Sequence, residues 1–263
     1  AKESLRLSDA IHNRALELYR LFLTVGGYPE AVSRYVEKKN HDYVRAVQGN
    51  ILDSYIADMA KYSTPTDTVK AIAAYNSLPT QLAKDNSKFM YSVIGSSARA
   101  KDYETALQWL VTAGSVIKCN KVTEGNMPLK IYEDSLSFKI YYSDVGLLTT
   151  KTGIPADNIL HNLKISDKMR GILSENYVAQ ELHAKGITLY YWVSDNQAEI
   201  DFVIQDNDYV IPVEVKSADN VRSRSLGIYR GRFDPKESIR ISAKNFGNDN
   251  GIKSIPLYAV FTI

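Results

Sequence analysis

The first sixty residues place their apolar side chains at helical spacing. In SDAIHNRALELYRLFLTVGG (8–27), apolar residues recur three and four positions apart, with Ser8 or Asp9 as the helix cap and Gly26 and Gly27 as the stop. A second helix restarts after Pro29, and HDYVRAVQGNILDSYIADMAKY (41–62) has the pattern of a third, longer helix. We therefore predict an almost wholly helical region over residues 1–62.

The next ninety residues combine shorter helices with extended segments. We expect one helix that breaks at Pro79, a short element in KFMYSVIG (88–95) and an amphipathic helix that ends at Gly114. SVIKCNKV (115–122) and LKIYED (129–134) read as two strands around a turn. Three helices followed by a hairpin is the order of a winged helix-turn-helix, so residues 63–152 are predicted to form such a domain.

The last part of the chain, residues 153–263, has the pattern of an α/β domain. A helix over 166–186 leads to the strand ITLYYWV (187–193), in which the three aromatic residues cannot all face a core, so some are expected to flank a substrate groove. A hairpin and a basic helical stretch follow, and SIRISA (238–243) and IPLYAVF (255–261) are predicted as late strands. The whole chain is therefore expected to be α+β, with a central mixed sheet in this last domain.

Composition narrows the functional classes. The chain has 263 residues and a formal net charge of +2, so net charge gives no argument for a polyanionic partner. Cys119 is the single cysteine and the four histidines have no ligand spacing, which excludes an intramolecular disulfide and makes a zinc site unexpected. No apolar run has the length of a membrane span, and we expect a cytoplasmic protein without membrane association. The sequence opens without methionine, directly in helical pattern, so we expect a fragment of a longer protein.

Polar ionisable residues interrupt the hairpin EIDFVIQDNDYVIPVEVK (199–216). Glu214 and Lys216 are two apart and share one strand face, while Asp201 on the preceding strand lies opposite or diagonal to Glu214. Such cross-strand neighbours are about 5–8 Å apart, a workable distance for two carboxylates to hold one divalent cation. The alternative is an ordinary solvated strand face with ion pairs.

One acid of the upstream helix falls on its apolar side. Glu175 lies within the arc formed by Ile172, Val178, Ala179 and Leu182, where an unpaired carboxylate is costly to bury. We therefore expect it to point toward the hairpin.

Together these residues suggest metal-assisted hydrolysis of a phosphodiester. Asp201 and Glu214 would bind Mg²⁺, with Glu175 as a direct or water-bridged ligand. Lys216 would position or help deprotonate the attacking water and offset the charge that develops on phosphorus.

Two basic groups are candidates for contacts with DNA phosphates. Arg99 and Lys101 stand at the start of the third helix of the predicted winged helix, and Arg222, Arg224 and Arg230 follow the lysine strand. Protein contacts by the winged helix, and a solvated helix face for the arginines, are the alternatives.

The arrangement of Glu175, Asp201 and VEVK (213–216) resembles the PD-(D/E)XK nuclease superfamily. Over nearly its full length, the chain also resembles the carboxyl-terminal portion of a group of prokaryotic AAA-type ATPases that carry a nuclease-like domain of unknown function. The segments that carry this resemblance are VGGYPEAV (25–32), KIYYSDVGLL (139–148), SENYVAQEL (174–182), YYW (190–192), EIDFVI (199–204) and IPVEVKS (211–217).

The resemblance implies a helical lid over 1–62, a winged helix over 63–152 and a nuclease-like domain over 153–263. It also implies a catalytic set of Glu175, Asp201, Glu214 and Lys216 with Mg²⁺. A phosphate-binding loop of the form G-x-x-x-x-G-K-[ST] is absent from the sequence, so ATP would bind only an amino-terminal ATPase domain outside this chain. DNA, that ATPase domain and a second copy of the chain are the expected partners. A non-catalytic interaction or regulatory module with the same fold is the alternative function.

Overall fold

The computed structural model describes residues 6–84, 88–194, 198–217 and 224–263, and it confirms the α+β fold. Helices form the first part of the chain, and from Val116 onward the strands of a mixed β-sheet alternate with further helices. The chain forms two compact units, of which the first comprises Ala1–Tyr19, Cys119–Phe138 and Arg170–Ile263. The second unit comprises Arg20–Lys118 and Lys139–Met169. The candidate hairpin and the helix that carries Glu175 belong to the first unit.

Within the described ranges the helices are α1 (Asp9–Val25), α2 (Pro29–Lys38), α3 (His41–Tyr62), α4 (Pro65–Leu82), α5 (Tyr91–Ile94), α6 (Ala100–Thr112), α7 (Val145–Thr152), α8 (Ala156–Leu160), α9 (Asp167–Ala184) and α10 (Arg224–Phe233). Polar caps start several of them, and the cap at Ser8 is one of the two that the sequence predicted for α1. The Oγ of Ser8 accepts a hydrogen bond from the Ile11 N–H at the start of α1, and the Asn40 side chain accepts one from the Asp42 N–H at the start of α3. α1 ends before Gly26, which has a φ of +71°.

The predicted helix break at Pro79 is wrong, since α4 continues through this residue to Leu82. Proline has no N–H, so it leaves the carbonyl of the residue four positions earlier without its helical donor. That carbonyl belongs to Tyr75 and accepts a hydrogen bond from the Tyr142 hydroxyl at 3.2 Å. The tertiary contact therefore compensates for the hydrogen bond that proline removes.

Asp144 ties the loop after α1 to the start of α7. It is the N-cap of α7, and its Oδ1 accepts a hydrogen bond from the Leu147 N–H at 3.1 Å. Its Oδ2 accepts a second one from the Gly27 N–H at 2.7 Å. The two segments VGGYPEAV and KIYYSDVGLL are thus joined by one buried carboxylate, which is 3% exposed.

In the described residues the strands are β1 (Val116–Val122), β2 (Glu133–Tyr142), β3 (Tyr190–Val193), β4 (Glu199–Asp206), β5 (Tyr209–Val215), β6 (Ser238–Ser242), β7 (Gly247–Asp249) and β8 (Ile252–Pro256). They form one eight-stranded sheet in the order β2-β1-β3-β4-β5-β6-β8-β7. β3, β4 and β5 pair antiparallel, whereas β5, β6 and β8 run parallel. The expected central mixed sheet is therefore confirmed.

The two strands that were expected to form a wing are instead part of this sheet. β1 pairs in parallel with β3, with Asn120 opposite Tyr190. Its apolar residues on both faces are buried, including Ile117 and Val122, which suits an interior strand better than a solvated wing. LKIY (129–132) forms a 3₁₀ helix, and the strand begins only at Glu133. The strand expected over 255–261 likewise ends at Pro256, and Leu257–Thr262 is a 3₁₀ helix.

Strand β3 lies inside the sheet, and this overturns the expected groove of aromatic residues. Tyr190, Tyr191 and Trp192 are 4%, 2% and 1% exposed, because both faces of the strand are covered. Trp192 makes an edge-to-face contact with Tyr229 of α10, with ring centroids 5.2 Å apart. The three aromatic residues therefore stabilise the core.

No helix in the described part of the chain is both long and apolar enough to cross a membrane.

Candidate active site

The β4–β5 hairpin positions the first two acids. Phe202 pairs with Val213 in antiparallel register, and Asp201 and Glu214 are the residues next to this pair on the two strands. Against β3 the register shifts, since Tyr190 pairs with Val203 while Trp192, two residues on, pairs with Ile200. β4 thus has one extra residue at Asp201 and Phe202, which is a β-bulge. Bulges bend a strand and change the direction of a side chain, and they are frequent next to active sites.

Asp201 is half-buried, and one of its oxygens is held by the backbone. Its Oδ2 accepts a hydrogen bond from the Val215 N–H at 2.7 Å, across the hairpin. This bond fixes the carboxylate beside the strand that carries Glu214 and Lys216.

Glu214 is the most deeply buried acid of the site, at 2% exposure. Its Oε1 lies 2.7 Å from the Lys216 Nζ. Its Oε2 is also buried and has no hydrogen-bond partner within the described residues. A buried carboxylate oxygen without a donor is costly, and such atoms in native proteins are commonly satisfied by a water molecule or an ion.

Three carboxylates act on the ammonium group of Lys216. Burial alone would lower the pKa of Lys216, but the hydrogen bond to Glu214 and the charges of the three carboxylates together outweigh it, so the pKa is raised. The charges of Asp201 and Glu175 add to this rise. Lys216 is therefore a protonated cation in this arrangement, which favours charge stabilisation over proton abstraction.

Glu175 lies on α9 and is half-buried, while Val178, Ala179 and Leu182 of its helix are fully buried. Its charge makes the smallest contribution to the raised pKa of Lys216, after those of Glu214 and Asp201. Within the ranges that the structure describes, no three histidine, cysteine, aspartate or glutamate side chains are arranged as a ready metal-ligand set. The helix acid is thus an electrostatic neighbour of the site in this conformation.

A buried arginine, Arg240, lies next to this site and was not predicted from the sequence. Arg240 of β6 is the register partner of Glu214, so the two side chains share one face of the sheet. It is 5% exposed, and Ser238 and Ser242 on the same face of β6 are buried as well. Strict alternation of polar and apolar residues in SIRIS was the available signal, but alternation usually indicates a solvated face and this face is covered.

The basic residues proposed to contact DNA have different surroundings. Arg99 is the exposed N-cap residue of α6, and Lys101 is exposed in its first turn. Arg224 is exposed at the start of α10, whereas Arg230 is half-buried near the backbone of Gly251. Arg222 lies outside the described residues.

Comparison with family models gives two matches. Residues 16–158 match a domain of unknown function, DUF8612, and residues 170–260 match another domain of unknown function, DUF4143. DUF4143 is typically found at the carboxyl terminus of AAA-type ATPases. Neither a curated protein nor a solved structure matches the chain. Since the first match spans more than half of its residues, the chain belongs to the DUF8612 family, and it carries the ATPase-associated domain DUF4143 after it.

Proposed function

We propose that the chain is the carboxyl-terminal part of an AAA-type ATPase and that its last domain hydrolyses phosphodiester bonds in DNA with Mg²⁺. The observation that carries this proposal is the group of three carboxylates around one lysine, in which a buried oxygen of Glu214 lacks a donor among the described residues. Carboxylate oxygens are the ligands that Mg²⁺ prefers.

We assign a separate role to each residue of this group. Asp201 and Glu214 would hold the cation, and Glu175 would contribute from α9 directly or through a bound water molecule. The bound cation would activate a water molecule and polarise the phosphoryl oxygens. Lys216 is protonated, so it would offset the negative charge that develops on the phosphoryl group. When the cation is bound, the ammonium group of Lys216 would leave Glu214 Oε1 and would face the substrate instead.

Contacts with the DNA backbone would come from exposed cations. Arg224 lies at the start of α10, soon after the lysine strand, and Arg99 and Lys101 lie at the start of α6. Such contacts make affinity fall steeply with salt concentration. ATP binding would belong to an amino-terminal ATPase domain, which is also the expected partner of this chain.

The decisive experiment measures cleavage of labelled single-stranded, duplex and branched DNA with Mg²⁺ or Mn²⁺. Asp201→Asn should lower the cleavage rate by about 100-fold or more, because it removes a ligand charge. Asp206→Asn is the matched control, since Asp206 is an exposed acid at the far end of the same strand and its substitution should leave the rate within about twofold. Equal rates for the wild type and Asp201→Asn would assign the cleavage to a contaminant.

A second pair of variants tests the helix acid. Glu175→Gln should lower the rate by about tenfold, as expected for an outer or water-bridged ligand. Glu181→Gln on the same helix should have a smaller effect. A larger loss in Glu181→Gln would exclude Glu175 from the site.

A non-catalytic interaction module is the second candidate function, and the partners of the acids favour it. Glu214 is paired with Lys216, and Asp201 accepts the Val215 N–H, so both carboxylates already have protein partners. In that case the charges stabilise the hairpin, and the triple variant Asp201→Asn, Glu214→Gln and Lys216→Met should retain binding to the ATPase domain. No cleavage of any DNA by the wild type, with intact domain binding, would favour this function.

A further inference from the structure

Two buried groups of opposite charge lie on neighbouring strands of the sheet. Glu214 on β5 and Arg240 on β6 are register partners, so their side chains leave the same face of strands that are about 4.8 Å apart. They are 2% and 5% exposed. A buried cation beside a buried carboxylate is the arrangement that reduces the cost of desolvating both.

The carboxylate of this pair has one oxygen that the described residues do not satisfy. Glu214 Oε1 contacts Lys216, whereas the buried Oε2 has no hydrogen-bond partner in the described part of the chain. The guanidinium of Arg240 carries five N–H donors. Its Nη2 donates a hydrogen bond to Ser254 Oγ at 2.9 Å. Ser254 is the register partner of Arg240 on β8, so the guanidinium is held from the side away from Glu214.

We propose that Arg240 is a positioning residue of the carboxylate site, and that it holds Glu214 Oε2 through one bridging water molecule. A water molecule can donate to the carboxylate oxygen and accept from the guanidinium, and buried water commonly satisfies such polar groups. The inner oxygen of Glu214 is then fixed toward β6, and the outer oxygen faces Lys216 and the space for the cation. Lys216, Glu214, Arg240 and Ser254 form one polar row across three strands.

The inference rests on the proposed metal site, because it assigns different roles to the two oxygens of Glu214. Removal of a residue that orients a metal ligand without touching the metal usually weakens the affinity for the metal by about 10- to 100-fold. The opposite sign would follow from simple repulsion, because removing a nearby cation strengthens the binding of another cation. The direction of the change in affinity therefore separates positioning from repulsion.

The first test measures Mn²⁺ binding to the whole chain by electron paramagnetic resonance. Arg240→Met should weaken binding by about tenfold or more. In the Glu214→Gln background the same change should have no further effect on affinity. Arg240→Lys should recover part of the loss, since it restores a donor and the charge. Lys253→Gln removes an exposed cation on β8 and should leave affinity unchanged. Unchanged or tighter binding in Arg240→Met overturns the inference.

The second test needs no metal. A double-mutant cycle of Glu214→Gln and Arg240→Met measures the unfolding constants in urea, and the two changes should be coupled by about fivefold or more. If the wild type binds no Mn²⁺, the proposed metal site fails, while this coupling still decides whether Arg240 holds Glu214. Independent effects of the two substitutions would remove Arg240 from the row even if Mn²⁺ binds.

Discussion

Two buried carboxylates of this molecule have opposite surroundings. Asp144 is 3% exposed, and its two oxygens accept hydrogen bonds from the backbone N–H groups of Leu147 and Gly27. Glu214 is 2% exposed, with one oxygen against the Lys216 ammonium and the other without a partner in the described residues. Equal burial therefore does not mean an equal role.

The difference lies in what holds each acid. The donors of Asp144 are fixed backbone groups, so the carboxylate can do little except join two segments of the chain. The partner of Glu214 is the end of a long side chain that is 37% exposed and can move away. A carboxylate oxygen whose partner can move away can exchange that partner for another ligand, which a metal site requires.

The largest expected effect comes from replacing each acid by its amide. Asp144→Asn should lower the free energy of unfolding by about 3 kcal/mol, because an amide NH₂ would face one of the two backbone donors. Glu214→Gln should cost about 1–2 kcal/mol, because its remaining carbonyl oxygen still accepts a hydrogen bond from Lys216 while the charge beside Arg240 is lost. Urea unfolding followed by circular dichroism measures both values. Similar losses for the two variants would mean that Glu214 is a structural acid like Asp144.

Substitution of Gly26 is an independent test of the structural role of Asp144. Gly26 has a φ of +71°, and a Cβ at this position would clash with Asp144 Oδ1. Gly26→Ala should therefore destabilise the fold by about 2–3 kcal/mol, the sum of the backbone strain and a displaced hydrogen bond. Gly114 has a similar φ of +67°, but a Cβ there would meet no atom of the described residues within 4 Å. Gly114→Ala should thus cost only about 1 kcal/mol.

Thermal denaturation of the two alanine variants measures this difference. In an Asp144→Ala background the extra cost of Gly26→Ala should disappear, because the atoms that it meets are gone. Equal costs for Gly26→Ala and Gly114→Ala would show that Asp144 yields to the new methyl group.

Local signals predicted the helices and the hairpin well, since caps and turns act within a few residues. Ser8 caps α1, and the β4–β5 hairpin forms where alternation indicated. The failures come from contacts distant in sequence. Pro79 remains within α4 because Tyr142, far along the chain, donates to the freed carbonyl of Tyr75.

The same limit applies to the candidate site. The spacing of two residues along a strand was enough to predict that Glu214 and Lys216 share a face. In the structure, the hydrogen bond from the Val215 N–H holds Asp201 beside them. Arg240 was missed because the pairing of β5 with β6 joins strands separated by a helix, and no local pattern gives their register. The prediction of a wing was wrong for the same reason. Its first strand, β1, pairs with β3, which lies about seventy residues further along the chain.

Removing the exchangeable partner of Glu214 should separate metal binding from catalysis. Lys216→Met should tighten Mn²⁺ binding by about tenfold, because the ammonium group no longer competes for Oε1. The cleavage rate should nevertheless fall, because the charge on the phosphoryl group is no longer offset. Binding measured by calorimetry and cleavage of labelled DNA should thus change in opposite directions. Weaker binding would make Lys216 a support of the metal site.

The smallest expected effect is a dependence of the folding stability on pH, which arises from one histidine. His41 starts α3, and its ring nitrogen lies 3.5 Å from the Thr24 hydroxyl. Burial lowers the pKa of His41 below its ordinary value of 6.5, and the charges of Asp157 and Asp42 oppose this change only in part. The unfolded chain therefore binds a proton more readily than the folded chain.

Stability from a neutral His41 is thus fully present above about pH 6.5 and is lost as the pH falls through the lowered pKa. The effect should be at most about 0.5 kcal/mol, since solvent screens a half-buried ring. Melting temperatures between about pH 7.5 and 5.5 should decline less for His41→Asn than for the wild type. His183→Asn, which changes an exposed histidine of α9, should follow the wild type. If the melting temperature of His41→Asn declines with pH as steeply as that of the wild type, another group causes the loss of stability in acid. If Mn²⁺ abolishes the decline, that group belongs to the carboxylates around Lys216.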